Sequence, residues 1–133
     1  MRILDSSVLV GLHIINDLHH ARATELCRAI PAGEFILLND YVVNEVTTVS
    51  LRKGGLVKAR EVLDFMLNNQ QFNVHHTPEE EFNRIISRFK SQSSTLSFVD
   101  CSILELAKAE GCRVETFDKV LQAEINAAHE VQS

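Results

Sequence analysis

Four acids of this chain fall at points where helices and strands meet: Asp5, Glu45, Asp100 and Asp118. Asp5 follows the apolar run MRIL, and Asp118 follows CRVETF. Asp100 lies in the opening turn of LSFVDCSILELAKAE, and Glu45 in YVVNEV stands beside a stripe of Val42, Val46 and Val49. Carboxylates gathered together repel one another, so such a group either carries raised pKa values or holds a hard cation. Oxygen donors without a thiolate favour Mg²⁺ or Mn²⁺ over zinc. Those ions serve phosphoryl transfer by offsetting charge on the attacking, non-bridging and leaving oxygens, which makes nuclease chemistry the natural candidate. Three of the acids also have a plainer account. Asp5 between a strand and a helix reads as an N-cap, Ser97-x-x-Asp100 resembles a capping box, and Glu45 can lie across an apolar edge with its head in water.

The elements that must position these acids follow from periodicity. Residues 1–4 read as a strand, and 8–12 continue as a helix that Asp5, Ser6 or Ser7 can cap. A helix over 19–30 ends at Pro31-Ala32-Gly33, and a second strand over 34–38 stops at Asn39-Asp40, good caps for a helix from 41 to about 53. Gly54-Gly55 separates that helix from another over 56–69. A short third strand covers 72–76; then Pro78 and the triplet Glu79, Glu80, Glu81 open a helix running to Lys90, a structural use of acids at the positive end of a helix. The stretch 96–118 organises the rest: a helix over 97–110, Gly111 as its stop, and a strand over 112–117 whose Val114 and Phe117 suit a buried sheet. A final helix over 119–128 precedes a frayed end. Strands alternating with helices predict an α/β fold, a mainly parallel central sheet covered on both faces, and ligands at the carboxyl edge of that sheet bind where Asp5 and Asp118 fall.

The 133 residues are the size of one domain, and 45% hydrophobic with 23% charged residues excludes a mainly disordered chain. Cys27, Cys101 and Cys112 are odd in number and form no CxxC pair, which argues against a disulfide framework or a zinc knuckle. No apolar run approaches the roughly 20 residues of a membrane span, and MRILDSS has an acid where a signal peptide would be apolar, so no membrane association and a cytoplasmic location are expected. A net charge of −5 lacks the bulk positive field of a protein that grips nucleic acid mainly through phosphates. A polyanionic substrate would need metal ions beside the acids.

Nearly the whole chain resembles a PIN domain. Asp5 in ILDSSVLV, Glu45 in YVVNEV, Asp100 in LSFVDCSILELA and Asp118 in VETFDKVL stand where that family has its four acids, the last two motifs with Gly111 between them being the most specific. The resemblance implies a single domain with a three-layer α/β/α sandwich and Mg²⁺- or Mn²⁺-dependent hydrolysis of RNA. By size the chain is similar to the VapC-type toxins of toxin–antitoxin pairs, commonly homodimers inhibited by a small antitoxin protein. Carried over, Asp5, Asp100 and Asp118 would bind metal, with Glu45 a ligand or an aid in orienting water. Ser6 and Thr116 would be hydrogen-bond partners of the acids. In-line attack of water would leave 5′-phosphate and 3′-hydroxyl ends. One departure concerns the last element: family members often close with a further strand, whereas 123–133 here reads as helical and then polar.

Other residues have plainer uses. His19-His20 and His75-His76 are adjacent pairs, which point apart on a helix or strand and make poor metal clamps. Arg52, Lys53, Lys58 and Arg60 around Gly54-Gly55, and Arg84, Arg88 and Lys90 on one helix, could contact phosphates or simply lie in water. Aliphatic residues within 8–15 and 56–67 serve a core or a partner interface. Competing functional classes are a Mg²⁺-binding module of receiver type and a catalytically silent PIN scaffold; the absence of a Gly-rich phosphate loop speaks against nucleotide binding.

Overall fold

A computed structural model describes residues 1–132, with side chains as far as His129. In chain order the elements are β1 (Arg2–Leu4), α1 (Ser6–His13), α2 (His20–Ala29), β2 (Ile36–Asn39), α3 (Asp40–Asn68), β3 (Phe72–His75), α4 (Glu79–Ser91), α5 (Phe98–Glu110), β4 (Arg113–Glu115) and α6 (Lys119–Gln132). The four strands form a wholly parallel sheet in the order β3-β2-β1-β4, with Ile3 opposite Leu37 on one side and Val114 on the other. Every residue of β2 is buried, as expected of a central parallel strand covered on both faces. Ile3, Leu4, Leu38, Val42, Val46, Met66, Ile85, Ile103, Leu106 and Leu121 are among the core side chains contributed by the sheet and its helices.

The chain moves outward from β1 through β2 to β3, then returns to the other side of β1 with β4. The carboxyl ends of β1 and β4 therefore flank the point where strand order reverses, the usual place for a ligand crevice. Asp5 N–H donates to Glu115 O at 3.0 Å, so the segments leaving both strands start side by side.

Three local features differ from the periodic reading. α3 is helical on both sides of Gly55, whose φ of 85° and ψ of 176° break it, so the two expected helices meet without a loop. β4 ends at Glu115, leaving Cys112 and Phe117 outside it; an edge strand has one neighbour and only half-buries its side chains. Phe117 turns instead toward α2. The closing element is helical through Gln132, farther than the expected 128, and no fifth strand follows β4 among the described residues. The expected fraying at the extreme end falls partly on Ser133, outside the described residues.

Gly111 ends α5 in the left-handed region at φ 65°, its N–H reaching Ala107 O. A Cβ there would meet nothing within 4 Å, so only backbone strain opposes a side chain. Gly111→Ala is expected to cost about 1 kcal/mol in urea unfolding.

Candidate active site

All four acids line one cleft of about 490 Å³ at the carboxyl edge of the sheet, together with Ser6, Ser7, Asp17, His19, Lys53, Thr95 and Ser97. Each acid arrives there from a different element.

Asp5 occupies the N-cap position of α1, yet its side chain makes no capping bond, and it is only 3% exposed. Three hydroxyls surround its carboxylate instead. Thr116 Oγ1 donates to Oδ2 at 2.7 Å, Ser7 Oγ donates to the same oxygen at 2.9 Å, and Ser6 Oγ lies 3.4 Å from Oδ1. The first two hydroxyls also accept backbone N–H groups, Asp118 N to Thr116 and Phe117 N to Ser7, both at 3.0 Å. Each hydroxyl has one proton to give Asp5 and a lone pair to hold the loop that carries Asp118. This buried carboxylate thus fixes the position of a second one.

Glu45 reaches the cleft from the second turn of α3, half-buried beside the apolar stripe that includes Val42 and Val46, and its Oε1 accepts from Ser6 Oγ. Asp100 sits in the first turn of α5. Its Oδ2 accepts from Ser97 N at 3.0 Å while Ser97 Oγ accepts from Asp100 N at 3.0 Å, a complete capping box. The plainer account of Asp100 therefore holds, and the same side chain also lines the cleft. Asp118 is exposed and caps α6 through Oδ1, which accepts from Leu121 N at 2.9 Å.

Asp100 registers the crowding. Burial pushes its carboxyl up; the bonds from Ser97 pull it down, and the charges of Asp5 and Asp118 push it up again, for a net rise above the ordinary value. Glu45, Asp100 and Asp118 each commit one oxygen to protein and leave the other without a hydrogen-bond donor among the described residues, while Asp5 Oδ1 has only the distant Ser6 contact. No three His, Cys, Asp or Glu side chains among the described residues form a ready ligand group. The donor chemistry nevertheless suits a hard divalent cation: oxygen ligands, excess negative charge and uncommitted lone pairs facing one cleft.

Several sequence candidates lie elsewhere. His75 Nε2 is 2.9 Å from Glu81 Oε2, which binds the buried Glu81 of the acidic triplet to β3, far along the sheet from β1. Arg88 lies against Glu105 at 3.5 Å and Lys58 against Glu61 at 3.8 Å. Most of the 8–15 stretch is core, leaving Ile15 exposed, whereas Leu56, Val57 and Leu67 remain on the surface of the second half of α3. The cleft also contains residues that periodicity does not single out. Ser7 reads as a cap, and nothing in the local pattern marks Asp17, whose loop joins α1 to α2.

A family model described as PIN domain matches residues 2–126 of the chain. Among curated proteins, none matches the sequence significantly. Solved structures similar to it include Mycobacterium tuberculosis VapC20, a sarcin–ricin loop cleaving toxin, with a TM-score of 0.86 and 19% identity over 93% of this chain and 95% of that one. A toxin–antitoxin complex from Klebsiella pneumoniae aligns with a TM-score of 0.62 and 18% identity over 90% and 89%. FitAcB from Neisseria gonorrhoeae gives 0.63 and 19% over 91% and 90%. At these identities the likeness is one of fold.

Proposed function

The chain belongs to the PIN-domain family, and from that premise we propose that it is a divalent-metal-dependent endoribonuclease, the toxin of a VapC-like toxin–antitoxin pair. The observation that carries this reading is the convergence of Asp5, Glu45, Asp100 and Asp118 on one cleft with oxygens left uncommitted. A bound Mg²⁺ or Mn²⁺ would supply charge neutralisation for the phosphodiester and lower the pKa of water. Asp5, Asp100 and Asp118 would hold it, with Glu45 as a further ligand or as the group that orients the attacking water. Ser7 and Thr116 hold the Asp5 carboxylate in place by donating to Oδ2, and Thr116 holds the Asp118 backbone in the same network. Ser6 does the same for Glu45. The rigid capping box keeps Asp100 from swinging out of the cleft.

The toxin reading implies a small antitoxin and a homodimer in the cytoplasm. The exposed Leu51, Leu56, Val57 and Leu67 on α3, with Ile15 and Leu18 on the α1–α2 connection, offer apolar area for such contacts.

The reading is tested by incubating the partner-free protein with total cellular RNA, and with a synthetic sarcin–ricin loop as a defined substrate. Cleavage is expected with Mg²⁺ or Mn²⁺, is expected to vanish in EDTA, and should return when excess metal is restored. The products should carry 5′-phosphate and 3′-hydroxyl ends. Intact RNA in both substrates, with folded protein and metal present, would make an interaction scaffold the better account.

A further inference from the structure

The side of the cleft built by the α1–α2 connection differs from the rest in charge and in aromatic content. Asp17 organises it. Its Oδ1 accepts from the Lys53 ammonium at 3.0 Å, and its Oδ2 accepts from His19 N at 3.0 Å. Burial pushes the Asp17 carboxyl up, but the bonds from His19 and Lys53, with the charge of Lys53, outweigh it and hold the group below its ordinary value. Lys53 sits just before the break in α3. A Cβ at Gly54 would lie 2.8 Å from Lys58 Cγ and 3.3 Å from Ile14 Cδ1, so glycine lets this part of α3 come close to the end of α1. Lys53 is the one Lys or Arg among the described residues lining the cleft.

The same loop continues into an aromatic stack. The His19 ring lies 5.0 Å from that of Phe117 at an interplanar angle of 33°, and the Arg22 guanidinium stands 4.5 Å from the Phe117 centroid. Phe117 immediately precedes Asp118, and its N–H is held by Ser7. Lys53, Asp17, His19, Phe117 and Arg22 are thus linked in series, from the cleft outward, by hydrogen bonds and ring contacts.

A polyanion approaching four carboxylates is repelled unless cations line its path. Single-stranded RNA also presents unstacked bases that pack on aromatic rings. We propose that this series is an RNA-strand subsite beside the scissile phosphodiester, in which Lys53 and Arg22 bind backbone phosphates and the His19 ring stacks a base. Asp17 is its positioning residue. The inference rests on the ribonuclease reading and adds to it the direction in which the strand leaves the acids.

The test uses a fluorescein-labelled pool of random 20-nucleotide single-stranded RNA, bound with Mg²⁺ in an Asp100→Asn background so that affinity is read without cleavage. Lys53→Ala and Arg22→Ala should each weaken binding about fivefold and flatten the slope of log K against log salt by about 0.7, the single-strand value for one phosphate contact. His19→Ala should weaken binding about tenfold and leave the slope unchanged, since stacking releases no counterion. Lys53→Arg should retain the slope and, by keeping a cation beside Asp17, the thermal melt of the parent protein; Arg22 is exposed, so Arg22→Ala should melt with the parent as well. With Asp100 intact, the same variants should raise KM for the pool and change kcat less than about threefold. Unchanged affinity and slope in all three alanine variants would overturn the subsite while wild-type cleavage of total RNA kept the nuclease standing. A wild type that cleaves no RNA would overturn both.

Discussion

Asparagine in place of Asp100 is expected to remove RNA hydrolysis and to leave the fold more stable. On the proposed metal-dependent ribonuclease reading, the hydrolysis rate should fall by about 10³-fold, because losing a carboxylate that would hold the metal forfeits several kcal/mol of transition-state charge stabilisation at about 1.4 kcal/mol per decade. Stability should move the other way. The Asp100 carboxyl is pushed up by burial and by the charges of Asp5 and Asp118, so in the metal-free protein its ionised form is disfavoured relative to the unfolded chain. A raised folded-state pKa gives stability that is full below the unfolded value, about 3.9, and lost as pH rises through the folded one. Raising the pH toward neutrality therefore removes stability. The asparagine side chain carries no charge, and its amide oxygen can still accept the Ser97 N–H, so the capping box survives. In EDTA, melts of wild type and variant should coincide near pH 3 and separate as pH rises, the variant melting a few degrees higher at pH 7. A variant less stable than wild type at pH 7 would mean that Asp100 serves the helix and not a strained charge cluster.

The acids are legible because their contexts are local: an apolar run stopping on Asp5, a capping pattern around Ser97 and Asp100, a stripe beside Glu45. Strand count and parallel pairing follow from the alternation of elements, whereas the strand order β3-β2-β1-β4 is set by the structure. What escapes the sequence depends on pairing at long range. Asp5 reads as a helix cap, and only the apposition of β1 and β4 brings Ser7 and Thr116 to the same oxygen. Phe117 reads as a strand residue, but an edge strand three residues long leaves it free to meet His19 and Arg22. His75 and Glu81 are six positions apart across a strand-to-helix turn, and their contact depends on the path of that turn. The Lys53–Asp17 pair spans the approach of α1 to α3, which no window along the chain can register.

Asn39 shows the same division within one side chain, and its removal is expected to give the largest loss of stability among these variants. Its Oδ1 accepts from Val42 N at 2.9 Å, the cap that the sequence places at the start of α3. Its Nδ2 donates at 2.9 Å to Ser102 Oγ on α5, a bond the sequence does not announce, and the residue is 1% exposed. Asn39→Ala should lose the cap, about 1 kcal/mol, and a buried hydrogen bond, about 1–1.5 kcal/mol, for a total of about 2–2.5 kcal/mol and a Tm lower by about 10 °C. Ser102 Oγ keeps its bond to Val99 O at 2.6 Å, so the orphaned partner is an acceptor and adds little. Asn39→Ser should separate the two contributions, since a serine can cap but cannot reach α5. It should recover about 1 kcal/mol of the loss. On the proposed ribonuclease reading, an effect on catalysis follows from which helices are joined: α3 carries Glu45 and α5 carries Asp100, so a looser junction should lower kcat about tenfold even in the fraction that remains folded. Chemical denaturation and single-turnover cleavage of the three proteins measure both effects. If Asn39→Ser were as unstable and as slow as Asn39→Ala, the bond to Ser102 and not the cap would account for the whole role of Asn39, and the spacing of Glu45 from Asp100 would depend on that one hydrogen bond.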